Sequence, residues 1–143
     1  SSCSKKEKVF ATIEAPQSYS GIKYENPAMP YYKKALEFQK KGKLDSALIY
    51  SQKVIDNRNI METESLATIY LCRAEIFQQQ NKDKEAINSY EEAIFYYSSK
   101  QMTKECIPIY QEMTKIYEKA GNQEKANECK RLAERFEEYL RLH

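Results

Sequence analysis

The chain has no tryptophan, a single histidine, three glycines and four prolines in 143 residues. With so few helix breakers, and with Gln, Glu, Lys, Leu and Ala abundant, an all-α protein is expected. His143 is the terminal residue, so no serine or cysteine has an imidazole partner for nucleophilic catalysis. No glycine-rich phosphate loop is present. The carboxylate pairs Glu91-Glu92 and Glu137-Glu138 are adjacent on helices and therefore diverge into solvent. An enzyme is not expected, and neither is a cofactor or a metal. Four cysteines, at 3, 72, 106 and 129, show no CxxC and no paired spacing, which leaves a common zinc site without ligands. Cys72, Cys106 and Cys129 read as small buried helix residues, with a disulfide between two of them as the alternative. No apolar run approaches the ~20 residues that span a bilayer. The net charge is +2 with 31% charged residues, so both signs are interspersed and no single-sign field would draw a nucleic acid. The length suits one domain.

What the chain does contain is a repeating amphipathic unit, clearest between Tyr70 and Ile94. Tyr70, Ala74 and Phe77 share one helical face, and Ala86, Tyr90, Ala93 and Ile94 share another. The residues between, Gln78 to Lys84, are wholly polar. Each stripe must be buried, and the nearest partner is the neighbouring helix folded back through a short turn.

Sliding the chain along itself recovers this hairpin three times. Tyr31, Tyr70 and Tyr110 align, as do Ala35, Ala74 and Thr114, and Phe38, Phe77 and Tyr117. Further columns are Gly42, Asn81 and Gly121; Ala47, Ala86 and Ala126; and Val54, Ala93 and Leu132. The offsets are 39 or 40 residues throughout. A fixed period of this size signals a stacked helical array; the alternative is a three-hairpin bundle without true repetition. Aromatic, small and aromatic residues on the first helix, facing alanine on the second, let the helices approach closely and interlock. Gly42, Asn81 and Gly121 fall where the first helix must stop, and glycine and asparagine best accept the left-handed conformation that follows a helix.

These columns resemble the tetratricopeptide repeat family. The middle unit matches its pattern as Tyr70, Arg73, Ala74, Phe77, Ala86 and Tyr90. In the first unit the same positions hold Tyr31, Lys34, Ala35, Phe38, Ala47 and Ser51. The third has Tyr110, Met113, Thr114, Tyr117, Ala126 and Lys130. The resemblance covers residues 28–142 and implies a right-handed superhelical stack of three helix-turn-helix repeats, at 28–59, 60–99 and 100–143. Tryptophan, the first-helix glycine and the closing proline of the family are missing, and the longer period implies helices extended by about a turn.

Residues 1–27 carry Pro16, Gly21 and Pro27 without helical period and read as an extended leader. Ser1-Ser2-Cys3-Ser4-Lys5-Lys6 resembles the processing site of a bacterial lipoprotein signal, in which Cys3 becomes the lipidated first residue. That resemblance implies a membrane tether reaching roughly 25 to 30 Å, displayed from the bacterial cell envelope. A cytoplasmic adaptor is the alternative.

Element boundaries follow from local signals. Pro30 fits the first turn of a helix near Ala28–Lys41, followed by a second at Leu44–Asn57. Asn59 and Glu62 have capping-box spacing before a helix over 61–80. Asp83 opens a helix ending near Ser98, and Pro108 either lies in the first turn of the next or kinks it. The last helix spans Gln123–Leu142 and offers a polar outer side able to close the array.

In such a stack the first helices line a concave surface. The resemblance places Met29, Tyr32, Leu36 and Gln39 there, with Thr68, Leu71, Glu75 and Gln78 from the second unit and Gln111, Lys115 and Glu118 from the third. This mixture suits a protein or peptide ligand, extended or helical, better than a compact metabolite. The competing reading is that Leu36 and Leu71 merely complete helix packing. Family members that clamp a carboxylate use cations and amides where this chain has Tyr32, Leu36, Cys72, Pro108 and Glu112, so no such clamp is expected. A membrane-tethered protein-interaction scaffold is the expected function; the alternative is a sensory or regulatory segment of a larger bacterial signalling protein.

Overall fold

A computed structural model describes residues 25–143. Cys3 and the rest of the leader through residue 24 lie outside the described residues. Six α helices follow in order: α1 Met29–Lys40, α2 Leu44–Asp56, α3 Thr63–Gln79, α4 Asp83–Ser99, α5 Thr103–Lys119 and α6 Gln123–Leu142. A 3₁₀ turn at Arg58–Ile60 joins α2 to α3, and no strand occurs among the described residues. The helices pair as α1 with α2, α3 with α4 and α5 with α6, and each pair packs on the next in sequence. Helix α1 also touches α3.

One turn geometry recurs four times. At Gly42, Asn81, Gln101 and Gly121 φ is 76°, 58°, 57° and 77°. At each, the amide after the left-handed residue bonds a carbonyl five positions back: Lys43 to Phe38 at 2.8 Å, Lys82 to Phe77 at 2.8 Å, Met102 to Tyr97 at 2.9 Å and Asn122 to Tyr117 at 2.8 Å. The left-handed residue itself bonds the carbonyl three back, which completes a Schellman motif and satisfies the orphan carbonyls of the helix end. The repeat columns pointed to three of these turns. The fourth, at Gln101, falls between α4 and α5 and carries no residue-type signal.

Helix α3 is the centre of the packing. It buries Leu66, Ala67, Ile69, Cys72, Ala74 and Ile76, positions that run around much of its circumference. On one side Ile69 joins Ala35, Val54, Ile55 and Met61, and Cys72 and Ile76 join Ala47. On the other, Ala67 and Ala74 meet Tyr90, Tyr97, Ile109 and Met113. Complete burial of Ile69 or Ile76 is worth about 2 to 3 kcal/mol each. Arg73 crosses the seam to α2, where its Nη1 donates to Ser51 Oγ at 2.7 Å while the guanidinium lies 5.5 Å from the Phe77 ring centre. Burial lowers the Arg73 pKa, and the hydroxyl and the ring face offset part of that penalty.

The two outer faces differ from the inner ones. Where α3 buries Ile69, Cys72 and Ile76 against the first hairpin, the corresponding residues of α1 are Pro30, Lys33 and Glu37, all exposed. Tyr90 and Tyr97 of α4 are buried, whereas the matching Lys130 and Glu137 of α6 are exposed, and Lys130 pairs with Glu118 at 3.0 Å.

Several expectations need correction. Helices extended by a turn occur in the second and third hairpins, while α1 and α2 have 12 and 13 residues against 17 in α3 and α4. A clip ties the start of α1 to the 3₁₀ turn: the Asn26 amide donates to the Ile60 carbonyl and its oxygen accepts from the Ala28 amide at 2.9 Å. Asn26, at the end of the segment assigned above to the leader, is thus bonded to the 3₁₀ turn and to the start of α1. Asn59 sits inside the 3₁₀ turn and caps nothing, because α3 starts at Thr63 behind an extended Glu62. Pro108 lies within α5, beyond its first turn and on an exposed face.

The turns generate a direct test. Gln101→Gly is expected to raise stability by about 1 kcal/mol, because glycine avoids the left-handed cost of a side chain. A Cβ at Gly121 meets nothing within 4 Å, so Gly121→Ala should lose about 1 kcal/mol through backbone conformation alone. Urea unfolding midpoints measured side by side would check both signs.

Candidate functional site

The C-terminal turns of α1 and α3, a tyrosine from α4 and the middle of α5 together enclose an open groove of about 450 Å³. Its lining is Gln39, Glu75, Gln78, Gln79, Tyr90 and Glu112. Gln39 Nε2 donates to Glu75 Oε1 at 3.1 Å and so links α1 to α3. Buried Tyr90 donates its hydroxyl to Gln78 Oε1 at 2.5 Å. Burial, and then the nearby Glu112 and Glu75 carboxylates, raise the Tyr90 pKa, so the phenol keeps its proton and acts as the donor. That choice orients the Gln78 amide, whose Nε2 faces Glu112 Oε1 at 3.4 Å. Glu112 Oε2 in turn accepts from Lys115 at 2.7 Å. A polar chain thus runs from α4 through α3 to α5.

No protein-family model, curated protein or solved structure matches the chain.

Three of the residues expected on the concave surface, Gln39, Glu75 and Gln78, come together here. Thr68 does not; its hydroxyl bonds the Glu64 carbonyl at 3.1 Å and lies 3.5 Å from Tyr97 Oη. Tyr32, Leu36 and Leu71 are half-buried and pack against the three hydrophobic clusters. As anchors for a ligand these three are already largely committed to the fold. Gln111 and Lys115 line a separate depression between α5 and α6 with Glu118, Thr114 and Ala133. The alignment put Gln111 level with Leu71, but the residue of α5 that reaches the groove is Glu112, one helical step away. Tyr90 was assigned wholly to packing by its column. Its ring does pack, yet its hydroxyl ends in the groove, a division that an aromatic ring with a polar tip allows.

His143 stacks on Tyr139 with ring centres 4.3 Å apart at the chain end. Among the described residues no three His, Cys, Asp or Glu side chains are placed to share a metal ion. Cys72, Cys106 and Cys129 are free and buried. Burial pushes all three thiols up, Cys72 to about 12, which keeps them protonated and poorly nucleophilic. No helix of the described residues is long and apolar enough to cross a membrane.

Burial is also the leading cause of raised pKa values at Tyr70, Tyr90, Tyr97, Tyr110 and Tyr117. The folded chain therefore holds these protons, and those of the thiols, after the unfolded chain has released them. Stability should be level through neutral pH and fall once pH exceeds the ordinary values of 9.0 for Cys and 10.0 for Tyr. Helical circular dichroism and tyrosinate absorbance are expected to change together in an alkaline titration. Tyrosinate formed fully before helix loss would contradict the burial assigned to these rings.

Proposed function

We propose that the chain is a non-enzymatic interaction scaffold: a right-handed stack of three tetratricopeptide-type hairpins that binds a peptide segment or partner helix across α1, α3 and α5. In a bacterial envelope it would be held by a lipidated Cys3. The observation that carries the binding reading is the groove itself, in which side chains from three successive hairpins converge. Serial packing of hairpins, one recurrent turn and polar outer faces support the stacked arrangement over a bundle around one axis. An open groove lined by amides and carboxylates matches the hydrogen-bonding needs of an extended backbone, and it lacks the enclosure of a metabolite pocket.

Selection of random peptides displayed on phage against the full chain tests this reading. Enriched peptides are expected to lose at least about tenfold in affinity, on the order of 1.4 kcal/mol, when Gln39→Ala and Glu75→Ala are combined. They should be indifferent to Ile49→Ala, a substitution at an exposed residue of α2. Equal binding to both variants would remove the groove from consideration. The membrane reading has its own check: mass spectrometry of the protein purified from its native membrane should find an acylated Cys3 as the first residue, and an unmodified Cys3 would reject it.

A further inference from the structure

Resting on the reading that this face takes a peptide, we propose that the groove selects a cationic side chain of that peptide, arginine in first preference. Two carboxylates, Glu75 and Glu112, line the space, and among the described residues no cation does. Lys115 reaches Glu112 at 2.7 Å, but its own side chain lies in the neighbouring depression and is exposed. Glu75 is exposed and forms no ion pair within 4.0 Å among the described residues, its recorded partner being the Gln39 amide.

The balance of donors and acceptors points the same way. Gln39 and Gln78 turn their amide nitrogens onto Glu75 and Glu112, and Tyr90 gives its proton to Gln78. These donors serve acceptors of the groove itself, while two carboxylates can together accept about eight hydrogen bonds. Gln79, the remaining amide of the lining, is exposed and can donate as well as accept, so it is the unfilled acceptor capacity of the two carboxylates that favours an incoming group rich in donors. A guanidinium supplies five in a planar fork that fits carboxylate oxygens two at a time, and the aliphatic stem that carries it can lie along the wall. A ligand carboxylate or phosphate would instead meet like charge across a recess that concentrates negative potential. The volume, about 450 Å³, leaves room for one such side chain and the backbone that carries it.

NMR titration of the full chain, with an acetylated and amidated alanine-rich peptide bearing one central arginine as the probe, tests the proposal. Matched arms replace the arginine with lysine, citrulline, glutamate or leucine, and a further arm uses acetyl-arginine amide alone. Amide signals of Gln39, Glu75 and Gln78 should move with the arginine peptide, and citrulline, which keeps the shape without the charge, should bind about tenfold more weakly. Glu75→Gln with Glu112→Gln should produce a similar loss. Glu75→Gln alone, at an exposed side chain, should weaken binding while leaving the fold intact. If citrulline and arginine peptides shift the same groove signals with equal affinity, the cationic preference is wrong and the peptide groove stands. Should no peptide move the groove signals, both readings fall. A glutamate peptide that binds more tightly, or acetyl-arginine amide binding as well as the peptide, overturns the proposal that a peptide-borne cation is the target.

Discussion

Every hairpin in this chain leaves an apolar side that it cannot cover by itself, and α3 is where that constraint is most acute. Its buried residues face the first hairpin through Ile69, Cys72 and Ile76 and the other helices through Ala67 and Ala74. Neither neighbour can be removed without exposing one of these surfaces. The same constraint fixes the placement of the groove, because α3 packs on α1 on one side and on α4 on the other, and α4 in turn packs on α5, which brings Gln39, Glu75 and Glu112 to one recess. Small residues at Ala35, Ala47, Ala74 and Ala86, all fully buried, permit that close approach.

Polar groups near this core are satisfied by partners within the fold. Arg73 is satisfied by Ser51 and Phe77, and Tyr90 by Gln78. Had Tyr90 been phenylalanine, the packing would survive, but Gln78 would lose the donor that sets its amide orientation. A residue counted as core by its ring thus organises the surface by its hydroxyl.

Much of the fold was legible in the sequence because it depends on short-range regularities. A left-handed residue after a helix restricts the choice to glycine or asparagine often enough that Gly42, Asn81 and Gly121 marked their turns. Gln101 adopts the same conformation without that signature, since neighbouring packing can outweigh a local cost of about 1 kcal/mol. The lengths of α1 and α2 were legible from their own boundary signals, near 28–41 and 44–57, whereas the repeat period implied longer helices because the residues of the 3₁₀ turn between α2 and α3 also count toward the offset. Legibility was poorer at the site. Whether Gln111 or Glu112 faces the groove depends on the rotation of α5 about its axis, which a repeat alignment assigns only to within one residue.

That Leu36 and Leu71 are drawn into packing bears on how such a surface binds. An interface usually draws its affinity from a few large apolar or aromatic side chains that become buried on contact. Here the apolar residues along α1 and α3 are already half-covered by their own fold, so little further apolar area is available to a ligand. What the groove still has to offer is directional: amides and carboxylates held in place by one another. Polar contacts of this kind discriminate among ligands more than they tighten binding, because each must first displace water. Under the proposed role, a surface built this way would favour weak, selective and salt-sensitive association, and would gain strength chiefly by being tethered close to its ligand or presented in several copies.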